Sequence, residues 1–281
     1  MAEGTRFDIK TIGPNPVVRK KLLIATPLKQ EPRIFTEYQK CLDNLKPHPD
    51  WHYDRFYVIN HCDEIIPFIR NASYIKHDFL NEHLGYHAWS STLVENMALM
   101  RNYCLSYARL YNYDAVLLAD TDEMLDPYTV LQLIEDDLDI VYVKHFTQDE
   151  GDNHTWVNVY TIDNGTYRDM DEMYSIWNNT DHLQEIGGGG GITWISRKVL
   201  ENKNVNYSPI ENLTYGFMSG EDKCFCTRAH AAGFKIYMEP RLNIAHINRP
   251  YALEQYLKGE STIDWSKVNL TKNATNGLGF R

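Results

Sequence analysis

The sequence predicts an α/β fold: a mostly parallel central sheet with helices on both faces, joined to a smaller mixed subregion. Two observations carry this. Through the first half, short continuous apolar runs alternate with amphipathic helical patterns. The second half changes to a hairpin signal, a run of five glycines and several short strands. A chain of 281 residues is long enough to bury a substantial core. No internal repeat and no clear linker divides it, so it reads as one domain.

Residues 1–20 are polar, hold Gly13, Pro14 and Pro16, and read as a leader. Lys21 to Pro27 is an apolar run that suits a buried first strand. From Pro32 to Leu45 the apolar positions Ile34, Phe35, Tyr38, Cys41, Leu42 and Leu45 follow helical spacing, and Pro47 and Pro49 stop that helix. Arg55 to Asn60 is the next strand, and Ser73 to Ile75 a short third one. The longest helix runs from about Ser90 to Tyr111, with Leu93, Met97, Met100, Cys104, Tyr107 and Tyr111 on one face. Asp114 to Ala119 follows as a continuous apolar strand, then the acidic cluster Asp120-Thr-Asp-Glu123. Pro127 opens a helix to about Glu135, and Asp139 to Val143 returns as a strand.

In the second half, Trp156 to Ile162, a turn at Asp163-Asn-Gly165, and Thr166-Tyr167 read as a β-hairpin. Gly187 to Gly191 precede a strand over Ile192 to Ile195. Gly220 to Ala232 is a helix ended at Gly233, followed by short strands over Phe234–Met238 and Leu242–His246. A short helix near Tyr251–Leu257 precedes a polar tail.

Net charge is −10, which argues against nucleic acid as a partner, because a phosphate backbone needs a basic patch. A nucleotide can still bind if a divalent cation screens its phosphates. Nineteen Tyr and six Trp supply apolar faces with polar tips, which suit sugar binding as well as a core. The cysteines at 41, 62, 104, 224 and 226 are odd in number and close no disulfide framework. Cys224 and Cys226 lack the spacing of a zinc knuckle, so all five read as core thiols.

No signal peptide or membrane span is visible, since Leu22 to Ala25 is too short for either, and this fits a cytoplasmic enzyme. Asn-x-Ser/Thr sequons begin at Asn71, Asn153, Asn164, Asn178, Asn206, Asn212, Asn269 and Asn273. The 22 Asn and 28 Ser plus Thr predict about two by chance. That excess fits either a secretory lumen or an Asn-rich composition.

The chemistry concentrates at Asp120-Thr121-Asp122. The preceding strand reads as central and buried, and ligands bind at that edge of open α/β sheets. Two carboxylates one residue apart on a turn can hold Mg²⁺ or Mn²⁺ together with diphosphate oxygens. Arg101 can reach a diphosphate or pair with an acid. The five glycines let backbone approach a ligand closely and present N–H donors. His87 and Trp89 precede the long helix and are candidates for the pocket wall.

Met100-Arg101-Asn102, the apolar strand and its Asp-x-Asp resemble a region of GT-A glycosyltransferases, especially family 2 and the Anp1-like mannosyltransferases. Gly187 to Ile195, Ser219-Gly-Glu-Asp222, Gly233-Phe-Lys235 and a strand ending at His246 continue the same order. The resemblance covers roughly residues 21–248. It implies a GT-A (Rossmann-like) fold, with a nucleotide-sugar half over 21–145, an acceptor half over 146–248, and a C-terminal helix and tail over 249–281. The loop Thr26 to Pro32 departs from family 2 wording. In size and style the chain is also similar to soluble glycosyltransferases of large algal viruses.

By this resemblance, Asp122 ligates the metal, Asp120 contacts the donor ribose or sugar or reaches the metal through water, and His246 is a further ligand. Asp222, with Glu221 as runner-up, is the general base of an inverting reaction. Thr26, Asp63, Arg101 and Thr121 fall on the donor side, and Gly189, Gly190 and Trp194 on the acceptor side. The implied activity is sugar transfer from a nucleotide-diphosphate sugar, UDP-linked by preference and GDP-linked as the other choice, to a glycan or other hydroxyl acceptor. The cofactor is Mn²⁺ or Mg²⁺. Alternatives are a nucleotidyltransferase, against which the glycine-free loop after strand one counts, and a carbohydrate-binding protein that has lost activity.

Overall fold

The computed structural model describes residues 19–78, 90–148, 155–163, 166–169, 181–211, 220–248 and 250–263. The leader lies outside these residues as far as 18, and the first strand starts inside its expected span, at Lys20. His87 and Trp89 lie outside them, as do all sequons but Asn71 and Asn206.

The strands are β1 (Lys20–Leu28), β2 (Trp51–Ile59), β3 (Ser73–Lys76), β4 (Ala115–Leu118), β5 (Glu123–Met124), β6 (Ile140–Val143), β7 (Phe146–Gln148), β8 (Thr155–Val157), β9 (Val159–Asp163), β10 (Thr166–Asp169), β11 (Gln184–Ile186), β12 (Gly188–Gly189), β13 (Thr193–Ser196), β14 (Ile236–Glu239) and β15 (Ala245–His246). The helices are α1 (Pro32–Asn44), α2 (Ser91–Leu110), α3 (Thr129–Asp136), α4 (Arg197–Glu201), α5 (Glu221–Ala231) and α6 (Pro250–Leu257). A 3₁₀ turn over Asp63–Phe68 was not visible in the sequence pattern.

Eight strands form the main sheet in the order β11-β14-β6-β13-β4-β1-β2-β3. All pairings are parallel except those of β13 with β4 and β6, and of β11 with β14. The sheet is thus α/β and mostly parallel, as the alternating runs predicted. The expectation did not foresee that β13 runs backwards. The glycine run delivers the chain to the C-terminal edge of β4 and β6, so the next strand can only return, reaching Asp114 where Arg197 N–H donates to its carbonyl at 2.7 Å.

Alternation along the buried strands makes two cores. Leu23, Ala25, Val116 and Leu118 face α2, α4 and α5. Leu22, Ile24, Leu117 and Trp194 face α1, α3 and α6. These runs are apolar throughout because both faces are covered. Helix α2 starts at Ser90, whose hydroxyl accepts from Leu93 N–H at 3.2 Å. Of the expected face Met100 and Cys104 are buried and Met97 and Tyr107 pack partly buried against the core, while Ala98, Arg101, Leu105 and Ala108 carry the buried stripe further round and Tyr111 is exposed. Small residues let the helix sit close to the sheet, and Arg101 is buried because acids partner it.

One further expectation changes and another holds. Only Ala245–His246 of the predicted Leu242–His246 strand is extended, and it pairs antiparallel with Glu123–Met124 rather than joining the main sheet. All five cysteines are free and buried, as core thiols should be. Among the described residues no helix is long and apolar enough to cross a membrane.

Candidate functional site at the edge of strands β1 and β4

From β1 the chain winds outward through β2 to β3, then returns through α2 to β4 on the other side of β1. That reversal opens a crevice beyond the C-terminal ends of β1 and β4. A cleft of about 330 Å³ lies at this edge, lined among others by Asp120, Asp122, Glu221, Asp222 and His246. The chemistry-bearing residues predicted from separate stretches of sequence therefore come together in one place.

The turn after β4 is held from several sides. Ala119 N–H donates to Ala25 O at 3.2 Å, anchoring the strand end to β1. Asp120 N–H donates to Glu123 Oε2, and Glu123 N–H to Asp120 O, each at 3.2 Å. Ile247 N–H donates to Asp122 O at 2.7 Å. The β5–β15 pairing sets Glu123 opposite His246. His246 Nε2 then lies 3.5 Å from Asp122 Oδ2, while its Nδ1 is 2.9 Å from Thr147 Oγ1. When Nδ1 carries the proton and donates to Thr147, the Nε2 lone pair faces Asp122 and the cleft.

Beneath this pair lie Glu123 and His145, both buried, with His145 Nε2 3.3 Å from Glu123 Oε1. Burial raises the Glu123 carboxyl well above its usual range, and Asp120 and Asp122 push it the same way. Burial holds the His145 imidazole well below its usual value, with His246 adding to the effect. Sequence reasoning left both without a role. The available signal was positional: His145 lies just past β6, at the same sheet edge as Asp120.

Across the cleft, Glu221 and Asp222 open α5, where the helix dipole favours acids. Arg101, only 2% exposed, reaches Asp120 Oδ2 at 2.9 Å, Asp222 Oδ1 at 3.3 Å and Glu221 Oε1 at 3.4 Å. Burial disfavours its charge, but Asp120, Asp222 and Glu221 outweigh that and raise its pKa. Burial also raises all three carboxyls, against the pull of Arg101. Asp120 Oδ1 is buried with no hydrogen-bond partner among the described residues.

The glycines serve packing around this site. A Cβ on Gly188 would meet Cys226 Sγ at 2.6 Å, and one on Gly189 the Tyr142 ring at 2.7 Å. Gly190 lines the cleft, where a Cβ would come 2.9 Å from Asp222 Oδ2. Gly191 has φ +75° and would drive a Cβ to 1.9 Å from Glu123 Oε1.

Other predicted residues fall elsewhere. Thr26 is buried in β1 beneath the site, its hydroxyl 2.8 Å from that of Tyr38. Thr121 Oγ1 is 3.5 Å from Gln30 Nε2, in the loop after β1. Asp63 is exposed on the 3₁₀ turn and pairs with Lys76 at 2.6 Å. Trp194 points into the opposite core, its ring 5.7 Å from that of Trp51, so it is not at the cleft. Tyr160 and Lys223, which no motif singled out, do line it, with the Lys223 ammonium 5.2 Å from the Tyr160 ring centre.

Among the described residues no three His, Cys, Asp or Glu side chains are grouped to hold a metal alone. Asp122 and His246 offer one carboxylate oxygen and one imidazole nitrogen side by side.

No protein-family model and no curated protein matches the chain. Among solved structures it is similar to A197 from STIV, with 16% identity over 81% of this chain and 85% of that chain at a TM-score of 0.40. It is similar also to S. aureus TarS 1-349, with 13% identity over 78% of this chain, and to TarS 1-349 in complex with UDP, with 14% identity over 79%. The TM-scores are 0.46 and 0.47, and in both cases this chain spans 58% of the TarS structure.

Proposed function

We propose that this chain is a metal-dependent, inverting glycosyltransferase that moves a sugar from a nucleotide-diphosphate donor to a glycan or other hydroxyl acceptor. One observation carries the reading. Carboxylates after β4, carboxylates opening α5 and a histidine on β15 converge on a single cleft at the β1–β4 switch point.

The donor set fits a shared cation. Asp122 and His246 lie 3.5 Å apart and supply two ligands, leaving positions for diphosphate oxygens and water. Bound there, Mn²⁺ or Mg²⁺ supplies positive charge for the departing diphosphate. Asp120 has one oxygen held by Arg101, and the other is free to accept from a donor hydroxyl. Asp222 lies across the cleft and is more open than Glu221, at 15% against 5% side-chain exposure. It takes the acceptor's proton as the hydroxyl oxygen bonds to the anomeric carbon and the carbon–phosphate-oxygen bond breaks. Burial raises its carboxyl well above the usual range, which brings it closer to the working pH of a general base. Gly190, beside Asp222, leaves room for the acceptor.

The test is a transfer assay with UDP- and GDP-sugars in Mn²⁺ or Mg²⁺, scoring both transfer and donor hydrolysis. Asp222→Asn is expected to lower turnover by about 10²–10⁴-fold while leaving donor affinity nearly intact, and the product anomer to be inverted. Neither transfer nor hydrolysis with any donor would overturn the reading in favour of a binding protein, and a retained anomer would remove the single displacement.

A further inference from the structure

We infer that Arg101 is a positioning residue that ties the donor-side carboxylate to the base-side pair, rather than a ligand of the donor diphosphate. The inference rests on the transferase reading for its kinetic consequences and on geometry for its substance. The guanidinium is one of the largest fully buried groups in the protein. Its three nitrogens point to three different acids: Nη2 to Asp120, Nη1 to Asp222 and Nε to Glu221. Only the first contact is a hydrogen bond; among the described residues Nε and Nη1 have no hydrogen-bond partner. The other two therefore act through charge at 3.3–3.4 Å. One face of the guanidinium lies 5.5 Å from the Tyr207 ring centre. Tyr207 stacks on Phe225 of α5 at 4.6 Å, and its N–H donates to Asn102 Oδ1 at 2.8 Å.

Arg101 thereby joins three elements: α2, which carries it, the turn after β4, and the first turn of α5. A diphosphate could reach it only by displacing one of these acids. Three acids share one buried cation, so its removal would leave their charge uncompensated. Lysine cannot replace the fork, because a single ammonium cannot address three carboxylates from fixed directions. Among the described residues, the titratable groups around Asp222 are Arg101 on α2, Asp120 after β4, Tyr142 on β6, Tyr160 on β9, Tyr207 before α5, and Glu221, Lys223, Cys224 and Cys226 on its own helix. Arg101 is the cation that holds its carboxyl down against burial.

The test compares wild type with Arg101→Lys and Arg101→Met in the full chain. It measures kcat and donor KM across pH, UDP affinity, and the titration of aspartate carboxyls by ¹³C NMR without ligand, with Asp222→Asn to assign the signal. Arg101→Lys is expected to cut kcat by about tenfold or more and to change donor KM by less than about threefold. The acid limb of its rate profile should move to higher pH, because the shorter, unforked lysine cannot hold its charge as close to Asp222 as the guanidinium does. If Arg101→Met does not fold, Arg101→Lys and the NMR titration still decide. A tenfold weaker UDP affinity with kcat and the acid limb unchanged would make Arg101 a diphosphate ligand and overturn the inference. A lower melting temperature with all kinetic values unchanged would overturn it too. If the wild type transfers no sugar, the transferase reading fails separately. The Asp222 signal then still judges the charge link: an upward shift in Arg101→Lys supports it, and an unmoved signal refutes it.

Discussion

Asp136, at the end of α3, shows on one residue how burial converts to pH dependence. Its Oδ1 accepts from Gln132 at 3.0 Å and from Arg241 at 2.6 Å, while Oδ2 is buried without a donor among the described residues and Glu239 stands beside it. Burial first, and Glu239 second, push the carboxyl up to about 6. In the unfolded chain it returns to an ordinary value of about 3.9. The folded state therefore holds this proton more tightly. The stability it contributes is complete below the ordinary value and is lost as pH rises through about 6. Asp136→Asn keeps the shape and supplies a permanent N–H toward Glu239, so that loss should vanish. Urea melts between roughly pH 4 and pH 7.5 check it through the difference between the two curves, because the raised carboxyls of the cleft add the same sign to both. Parallel curves would refute the assignment. At this scale the sequence exposed residues that stand beside clear punctuation: Asp120 and Asp122 after an apolar strand, Asp222 at a helix start, His246 at a strand end. It hid Glu123 and His145, whose contact exists only because two-residue strands pair across the chain.

At the scale of elements, the glycine segment shows why a motif's meaning depends on what packs against it. Its sequence suggests backbone open to a ligand, whereas three of the five glycines make room for Cys226, Tyr142 and Glu123. Gly191→Ala should therefore do two things. A left-handed φ of +75° costs a non-glycine residue about 1–2 kcal/mol, and the Cβ would displace the Glu123 carboxyl from beneath the cleft. Gly259 is the control, since its φ is +72° but open space surrounds it. Gly259→Ala should show only the backbone cost, while Gly191→Ala should melt lower still and bind nucleotide and metal more weakly. Equal losses in the two variants would show that Glu123 yields without consequence. The elements themselves were largely legible, because apolar runs and helical spacing mark β1, β2, β4, β6, α1 and α2. Strand direction was not, since a short strand pattern such as Thr193–Ser196 reads the same either way. The buried face of α2 was read too narrowly, because Arg101, a charged residue, also belongs to it.

For the whole molecule, the order of the sheet turns scattered residues into one site, and the proposed transferase function predicts that nucleotide and metal bind there in a linked way. Composition and alternation foretold the layered sheet. That β4 returns beside β1 follows from tertiary packing, which no local pattern records. On the transferase reading the described residues offer the cation Asp122 and His246, and diphosphate oxygens and water supply the remaining ligands. Neither Mn²⁺ nor UDP alone should then stabilise the fold much, whereas the two together should. Ligand at a hundred times its Kd adds about 2.7 kcal/mol, and about 2–4 °C accompanies each kcal/mol in a chain near this size, so the pair should raise Tm by roughly 5–10 °C. Asp122→Asn should abolish that joint shift while leaving the unliganded Tm within a degree or two of wild type, since Asp122 lies at the open side of the cleft, 22% exposed. Asp136→Asn, remote from the cleft, should keep the full shift. Differential scanning fluorimetry over a grid of UDP and Mn²⁺ concentrations, repeated with excess chelator, decides the matter. A UDP shift that survives the chelator would show that the nucleotide binds without a cation, and Asp122 and His246 would then be an ion pair with no ligand role.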